Sequence, residues 1–189
     1  MGTVRRARLA EATLETMKEV GFARTTVQRV SERAGLAQGL VHHYFATKAD
    51  MVEAAIRLAS TEISKELVRL LAKAATPRQR LDAVVVANLA PAVFNPAVTR
   101  AWLAFAAEAE THPRYHRIVR AIYARMLSNL RHALSGLVEE KGVGDLALAI
   151  SLMIDGAWMR CALGGGEMDA GRVAARIGSI IDGELARAG

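Results

Sequence analysis

Apolar side chains recur every three or four residues along most of the chain, and this spacing predicts amphipathic α-helices. The first helix is predicted over about residues 4–20, where Ala10, Leu14 and Met17 share one side. Gly21 then ends it. No segment alternates apolar and polar positions for long enough to indicate a sheet. The pattern therefore predicts an all-α protein.

Two short helices separated by a glycine follow in residues 26–45. Thr26 can cap the first of them, over residues 27–34, and Gly35 breaks the chain before the second, over about residues 38–44. A helix of two turns is not stable alone, so packing behind it must hold it in place. A helix, a tight turn and a second helix are typical of DNA-binding domains, although the same pattern occurs in other helical bundles.

The outward side of the second short helix carries side chains suited to nucleic acid. Gln38 and Gly39 lie in its first turn, where glutamine can pair with adenine in the major groove and glycine allows close backbone approach. We expect these two residues to read the base sequence. His42, His43 and Tyr44 follow, and we assign them chiefly to phosphates, which position a helix without carrying sequence information.

Thr26 and Lys48 lie on either side of the reading helix, and both are predicted to contact phosphates. Thr26 would do so with the free N–H groups at the positive end of its helix, and capping alone is the alternative. Thr47 and Asp50 match a capping box, so a fourth helix is predicted from there to about residue 73. Lys48, in its first turn, is unfavourable for the helix dipole but favourable for a phosphate.

The motif in residues 26–51, T-V-x-x-V-x-x-x-A-G-L-x-x-G-x-x-x-x-Y-F-x-x-K-x-x-M, resembles the N-terminal DNA-binding domain of the TetR family of bacterial regulators. Where that family usually opens the recognition helix with Ser or Thr, this chain has Ala37, which loses a cap typically worth about 1 kcal/mol. The resemblance implies that DNA is faced by Thr26, Gln38, Gly39, His42, Tyr44 and Lys48.

Proline marks the helix starts in the rest of the chain, each time at the first helical position after a residue able to cap. These pairs are Thr76-Pro77, Asn95-Pro96 and His112-Pro113. Gly142 and Gly144 are expected to break the chain, with Asp145 capping the next helix, and the glycines of residues 164–166 to break it again. With these boundaries about nine helices are predicted, the later ones over residues 77–90, 96–110, 113–140, 145–163 and 170–186.

We expect two domains, a three-helix helix-turn-helix domain in residues 1–46 and a helical ligand-binding and dimerisation domain in residues 47–189. The last two helices combine small and aliphatic residues, which predicts a two-fold four-helix bundle between subunits; packing within one chain is the alternative. A palindromic operator also requires a dimer, with reading helices about 34–36 Å apart. The predicted interface residues are Leu148, Leu152, Val173, Ile177, Ile181 and Leu185.

Both tryptophans lie in segments that combine aromatic and acidic side chains, residues 100–110 and 154–165. A carboxylate in an apolar helix is costly to bury without a partner, and a cationic ligand held against aromatic faces would supply one. The alternative is that the tryptophans fill the core and that Asp155 pairs with Arg160 or another helix. The candidate ligand-binding residues are Trp102, Phe105, Glu108, Asp155, Trp158 and Met159.

Three segments of the C-terminal half are similar to the choline-responsive repressors of glycine-betaine synthesis, a branch of the TetR family. They are RAWLAFAAEA, RMLSNL and LMIDGAWMRCAL with its G-G-G-E-M-D. The resemblance implies a repressor released from its operator by choline or another small cation. A neutral or anionic metabolite or a lipophilic drug is the alternative effector. The alternative of another class is a helical interaction module with nonspecific DNA affinity.

Charge and missing motifs agree with a regulator. The net charge is +6, and the first fifty residues hold eight Lys or Arg against five acidic residues, a mild excess suited to DNA. No G-x-S-x-G, glycine-rich phosphate loop, C-x-x-C or H-E-x-x-H occurs, so we predict neither an enzyme nor a cofactor. His112 and His116 are spaced like metal ligands, but a helix start at Pro113 leaves His112 outside it, so no metal is predicted.

We expect a cytoplasmic protein without a membrane partner. The single cysteine, Cys161, allows no intrachain disulfide and favours a reducing compartment. Glu11 and Glu15 interrupt any signal-peptide core, and the longest uncharged run, residues 83–99, is shorter than the roughly 20 apolar residues of a membrane span.

Overall fold

The computed structural model describes residues 2–164 and 168–188, and over these ranges the chain forms nine α-helices and no β-strand. In order they are α1 Gly2–Val20, α2 Val27–Ala34, α3 Gln38–Tyr44, α4 Lys48–Leu71, α5 Pro77–Asn88, α6 Pro96–Glu108, α7 Pro113–Leu134, α8 Glu140–Ala162 and α9 Ala170–Ala188. The all-α prediction is confirmed. The predicted bounds of α2 and α3 match the structure residue by residue.

The first three helices share a small core with the start of α4. Its fully buried side chains include Leu9 of α1, Val30 of α2, Val41 of α3 and Met51 of α4. Burying such aliphatic side chains contributes about 1.5–3 kcal/mol each, which is what holds the two-turn α3 in place. The reading helix is therefore supported from behind by three neighbours.

Two larger clusters, and a small one of Ala90, Val93 and Val98, form the rest of the interior. One joins α1, α4, α6 and α7 around the buried rings of Phe105 and Tyr115. The other is aliphatic and joins α4, α5, α7, α8 and α9, with Leu130, Ile150 and Ile181 among its fully buried members. Because α4 contributes buried side chains to the core behind α3 and to both larger clusters, a displacement of α4 changes the packing in both halves of the molecule.

The break between α7 and α8 differs from the sequence prediction. α7 ends at Leu134, and the chain turns at Gly136, whose φ of +89° lies in the left-handed region that favours glycine. α8 starts at Glu140, so Gly142 and Gly144 lie inside the helix and Asp145 does not cap it. Glycine is tolerated in a helix whose other residues pack well, which is why these glycines did not mark its end.

α8 is also long and apolar enough to cross a membrane, judged by length and composition alone. This property is not evident from the uncharged runs of the sequence, because Asp145 and Asp155 interrupt them in α8. Core helices of soluble proteins meet the same criterion, and here α8 packs against α6, α7 and α9.

Candidate functional site

The predicted reading surface is the outer side of α3. Val41 and Phe45 point inward and are 0% and 1% exposed. The opposite side of the helix is accessible to a partner, because four of the five side chains assigned to DNA on α3 are exposed and Tyr44 is half-buried. The exposed ones are Gln38, Gly39, His42 and His43.

The caps of the two short helices agree with the sequence. The Thr26 side chain accepts a hydrogen bond from the backbone N–H of Arg29, at 3.3 Å, and Gly35 ends α2 with a φ of +65°. Ala37 precedes α3 in an extended conformation without a side-chain cap. The expected loss of the cap at Ala37 is therefore confirmed.

Arg6, on α1, is tied to the end of the reading helix. Its guanidinium donates a hydrogen bond to the carbonyl oxygen of Tyr44 at 3.1 Å and lies 4.6 Å from the centroid of the Phe45 ring. A cation at the last carbonyls of a helix is favoured by the helix dipole. α1 thus holds α3 by a polar contact as well as by the core.

Lys48 makes internal contacts that the sequence did not predict. Its Nζ donates to the carbonyl oxygens of Phe22 and Ala23, at 3.1 and 3.2 Å, and lies 5.1 Å from the centroid of the Phe22 ring. Burial lowers the pKa of this amine, and the charge of Glu108 opposes that effect. Lys48 therefore joins the start of α4 to the end of α1, and its contact with a phosphate stays a prediction.

A cavity of about 60 Å³ lies among α1, α4, α5, α6, α7 and α8. That volume has room for about four water molecules. Its wall is mainly aliphatic, and the remaining lining residues are aromatic or polar. These are Ser60, Asn88, Trp102, Tyr123, Asp155 and Trp158.

Asp155 is the acidic group of this cavity. Burial raises the pKa of its carboxyl to about 6, and no neighbouring cation opposes the shift. The alternative that Asp155 pairs with Arg160 is not supported, since the described residues form no such ion pair and Arg160 is exposed. Among the residues that the structure describes, none supplies a counter-ion to this carboxylate, which lines the cavity.

Three aromatic side chains surround the cavity near this carboxylate. The Trp158 indole is fixed by a hydrogen bond from its Nε1 to the carbonyl oxygen of Asn88, at 2.8 Å. Trp102 meets Tyr123 edge to face, with ring centroids 6.3 Å apart. Tyr123 lines the same cavity as Asp155, and its pKa is raised by burial and then by the charge of Asp155. Such rings present negative faces to a cation.

Three of the six residues predicted to bind ligand do not line the cavity. Phe105 is fully buried behind Trp102, against the Tyr115 ring. Glu108 lies further along α6, with its Oε2 3.7 Å from the Nδ1 of His112. Met159 is half exposed, because one step along a helix turns the side chain by about 100° away from Trp158. The structure does not bring these three residues to the cavity wall, because spacing along a helix does not tell which turn faces a cavity.

A row of aromatic contacts leads from the cavity toward the DNA-binding helices. Trp102 contacts Phe105, with centroids 5.9 Å apart, and Phe105 contacts Tyr115 at 4.6 Å. Tyr115 meets Phe22 at 6.5 Å, and Phe22 carries Lys48 over its ring. A change of volume at Trp102 can therefore reach the junction of α1 and α4 through packed rings.

Arg114, at the start of α7, forms ion pairs with Asp50 and Glu53 of α4. Burial alone would raise the pKa of the Asp50 carboxyl, but hydrogen bonds from Thr47 and Arg114 outweigh it and lower that pKa. The pKa of Glu53 is lowered against burial in the same way, by Arg57 and Arg114. Arg114 thus attaches the first turns of α4, next to α3, to the regulatory part of the molecule.

Comparison with known protein families decides the class of protein. A family model described as "BetI-type transcriptional repressor, C-terminal" matches residues 77–186, more than half of the chain. A second, described as "Bacterial regulatory proteins, tetR family", matches residues 9–55. The chain is a TetR-family regulator of the BetI type.

Individual relatives agree with this assignment. The regulator BetI of Stenotrophomonas maltophilia is 36% identical over 168 residues, which cover 88% of this chain and 86% of the relative. BetI 1 of Chromohalobacter salexigens is 31% identical over 188 residues, 99% of this chain and 93% of the relative. A transcriptional regulator of Saccharomonospora viridis, solved in complex with choline, has the same fold, with a TM-score of 0.84, 19% identity and coverage of 96% and 97%.

Both resemblances found in the sequence are confirmed, as is the prediction that the protein is not an enzyme. TetR-family regulators bind DNA operators and small effectors and act as dimers.

Within the described residues, no group of three metal-ligating side chains lies close enough to hold an ion, and His112 and His116 are part of no such group.

The predicted dimer face of this TetR-family regulator needs correction on α9. Ile177 and Ile181 are 4% and 0% exposed and pack into the aliphatic core of their own subunit, with Val173 and Leu185 against the same core. A partner subunit cannot reach the buried pair. The apolar stripe that predicted an interface is instead the side by which α9 attaches to the rest of the chain.

The large apolar residues left exposed on α8, the turn after it and α9 are Leu148, Leu152, Met159, Leu163 and Ile180.

Sequence reasoning missed three polar residues of the cavity, Ser60, Asn88 and Tyr123. They come from α4, α5 and α7, and none lies within a recognisable motif. The sequence offered one signal, the position of Tyr123 two residues before the segment RMLSNL, residues 125–130, that resembles the family.

Proposed function

We propose that this TetR-family repressor is released from a palindromic operator when a small quaternary ammonium compound, choline or a close analogue, binds in the cavity. One observation carries the proposal. The Asp155 carboxylate faces a cavity walled by Trp102, Tyr123 and Trp158 and has no cation of the chain beside it. Aromatic faces with a carboxylate are the usual means of binding such a cation.

The size of the cavity favours this effector over a drug. Drug-sized ligands usually occupy about 300–1,000 Å³, whereas this cavity measures about 60 Å³. The structural neighbour from Saccharomonospora viridis with bound choline supports the same class of ligand.

For DNA, we propose that Gln38 and Gly39 contact base edges in the major groove. Phosphates would be contacted by Thr26, His42, His43, Tyr44 and Lys48, the last after its ammonium turns away from the Phe22 and Ala23 carbonyls. A regulator of chromosomal DNA works in the cytoplasm, and we propose that location for the protein.

We further propose a domain boundary between residues 46 and 47, with α4 shared by both domains. Two subunits would pair through the exposed apolar side of α8, centred on Leu148 and Leu152, together with Ile180 of α9. This symmetric contact places one reading helix of each subunit on successive turns of DNA.

Release from DNA would follow from a shift between two arrangements of the dimer. A cation in the cavity stabilises one position of Trp102 and of the helices around it, and the aromatic row and the Arg114 ion pairs move the start of α4 with them. An effector of this kind typically changes operator affinity by about 1–3 kcal/mol.

The test is calorimetric titration of the full-length protein with choline, followed by release from an operator duplex that the purified protein has selected from a random pool. We expect saturable binding and release. Asp155→Asn should weaken choline binding at least about ten-fold, because a hydrogen-bond acceptor of the same shape loses its charge. Operator affinity without choline should not change.

Asp145→Asn is the matched control, since Asp145 lies on the same helix outside this cavity. Equal choline affinity in Asp155→Asn and in the unsubstituted protein would reject the proposed site.

A further inference from the structure

A groove of about 320 Å³ adjoins the effector cavity on the side between α4 and α7. Ser60 and Ile122 line both spaces, so the two are neighbours that share part of their wall. The groove is lined in addition by two arginines, Arg57 and Arg125. On the Ser60 side, the effector cavity thus adjoins a space lined by positively charged side chains.

The two arginines differ in their partners. The Nε of Arg57 donates to Oε1 of Glu53 at 2.8 Å, so its charge is neutralised within α4. Arg125 is exposed and donates through Nη2 to the Ser60 hydroxyl, and it forms no ion pair with any residue that the structure describes. An arginine without a carboxylate, hydrogen-bonded to a residue of the cavity wall, is suited to an anionic ligand group.

The size of the cavity gives a second reason to consider a longer ligand. Its 60 Å³ accommodates a compact head group, while the groove offers several times that space. The two spaces carry opposite charges, with the Asp155 carboxylate in the cavity and the Arg125 guanidinium in the groove.

Resting on the cation site proposed above, we infer that the preferred effector is a small zwitterion. Its quaternary ammonium group lies in the cavity beside Asp155, and its phosphate or carboxylate lies in the groove on Arg125. In the ligand-free protein the Ser60 hydroxyl accepts from the guanidinium. The anionic group replaces that hydroxyl as acceptor, and a charged acceptor makes the stronger hydrogen bond.

The experiment compares three probes by calorimetry on the full-length protein: choline, which has no anionic group, phosphocholine, which has a phosphate, and γ-butyrobetaine, which has a carboxylate. We expect at least one zwitterion to bind more tightly than choline, by a factor of about ten or more. This is the effect of one additional hydrogen bond between charged groups, here the anion and the Arg125 guanidinium. Phosphocholine and γ-butyrobetaine then distinguish the two anions.

Arg125→Gln should reduce the affinity for the preferred zwitterion about ten-fold, to near that of choline, and leave choline affinity unchanged. Arg120→Gln is the control, because Arg120 is exposed on the same helix and lines neither space, and it should change nothing. Circular dichroism of both variants checks that the helices are intact.

Choline binding with no gain for either zwitterion, or with no effect of Arg125→Gln, would overturn the zwitterion and leave the cation site standing. If neither choline nor the zwitterions bind, both proposals are rejected. If a zwitterion binds to Asp155→Asn as tightly as to the unsubstituted protein but fails to bind to Arg125→Gln, an anion site at Arg125 remains. That result would reject the arrangement in which the ligand contacts both Asp155 and Arg125.

Discussion

The proposed DNA-reading surface consists of one stretch of seven residues, Gln38–Tyr44, on a single short helix. The proposed effector cavity takes its wall from six helices, between Leu14 of α1 and Trp158 of α8. The first surface is local and exposed, and its chemistry is set by neighbours in sequence. The second is enclosed by distant parts of the chain, and its chemistry depends on how those parts pack.

This difference implies different responses to mutation. The reading helix needs support from behind, and a change there should remove DNA binding while the cavity persists. The cavity depends on one charge and on helix positions, and changes there should alter ligand response while the reading helix persists. α4 joins the two regions, because Met51 lies in the core behind α3 and Ile56 lines the cavity.

The largest effect is expected for Phe45→Ala. The Phe45 side chain is 1% exposed behind α3, and truncating a buried phenylalanine costs about 3–5 kcal/mol. Operator binding should be lost in a mobility-shift assay, while choline binding measured by calorimetry remains. Val4→Ala, at an exposed position, is the control and should keep both activities. Loss of choline binding together with operator binding would show that the two regions unfold as one.

The next largest effect is expected in the pH dependence of choline affinity, which is set by one carboxyl group in the cavity. Choline needs the ionised carboxylate of Asp155, whose pKa is raised to about 6 by burial. Affinity should be constant above about pH 7 and fall up to about ten-fold per pH unit below 6, since the cation then competes with a proton. Calorimetry between pH 5 and 8 measures this. A profile that is unchanged in Asp155→Asn would assign the titration to another group.

The raised pKa also predicts how Asp155 affects folding. The folded protein binds this proton more tightly than the unfolded chain, so the contribution of the group to stability falls as pH rises from about 4 to 6. Asp155→Asn should therefore raise Tm at pH 7.5 relative to the unsubstituted protein and have a clearly smaller effect at pH 4.5. Thermal unfolding at the two pH values gives the comparison.

A smaller effect is expected where the two regions are joined. Arg114→Ala removes the ion pairs to Asp50 and Glu53 without altering the cavity wall. We expect choline affinity to stay within about two-fold, while the ratio of operator affinities without and with choline falls about five-fold, within the usual range of coupling energies. Arg117→Ala, one turn further along α7, is the control. An unchanged ratio in Arg114→Ala would show that coupling runs elsewhere.

The smallest effect concerns the reading helix alone. Ala37→Ser supplies the missing cap of α3 at a residue whose backbone is already extended, as a cap requires. Stability should rise by about 0.5–1 kcal/mol, measured by urea unfolding, and choline affinity should not change. Ala46→Ser, outside any helix, is the control. A stability equal to that of Ala46→Ser would mean that the serine does not cap.

The sequence predicted the reading helix better than the cavity. Thr26, Gly35 and the proline starts of α5, α6 and α7 act within a few residues, so local chemistry was enough to place these helices. The cavity was predicted in part. Trp102, Asp155 and Trp158 line it, while Phe105, Glu108 and Met159 do not.

Periodicity by itself established the helices, the apolar side of each one and the polar surface of α3, because these follow from spacing along the chain. Only the tertiary structure decided what each apolar side packs against. The stripe on α9 containing Ile177 and Ile181 meets its own subunit, and Tyr123 and Ser60 meet Asp155 in one cavity. Such contacts join residues far apart in sequence, and their free energy depends on the packing of all nine described helices together.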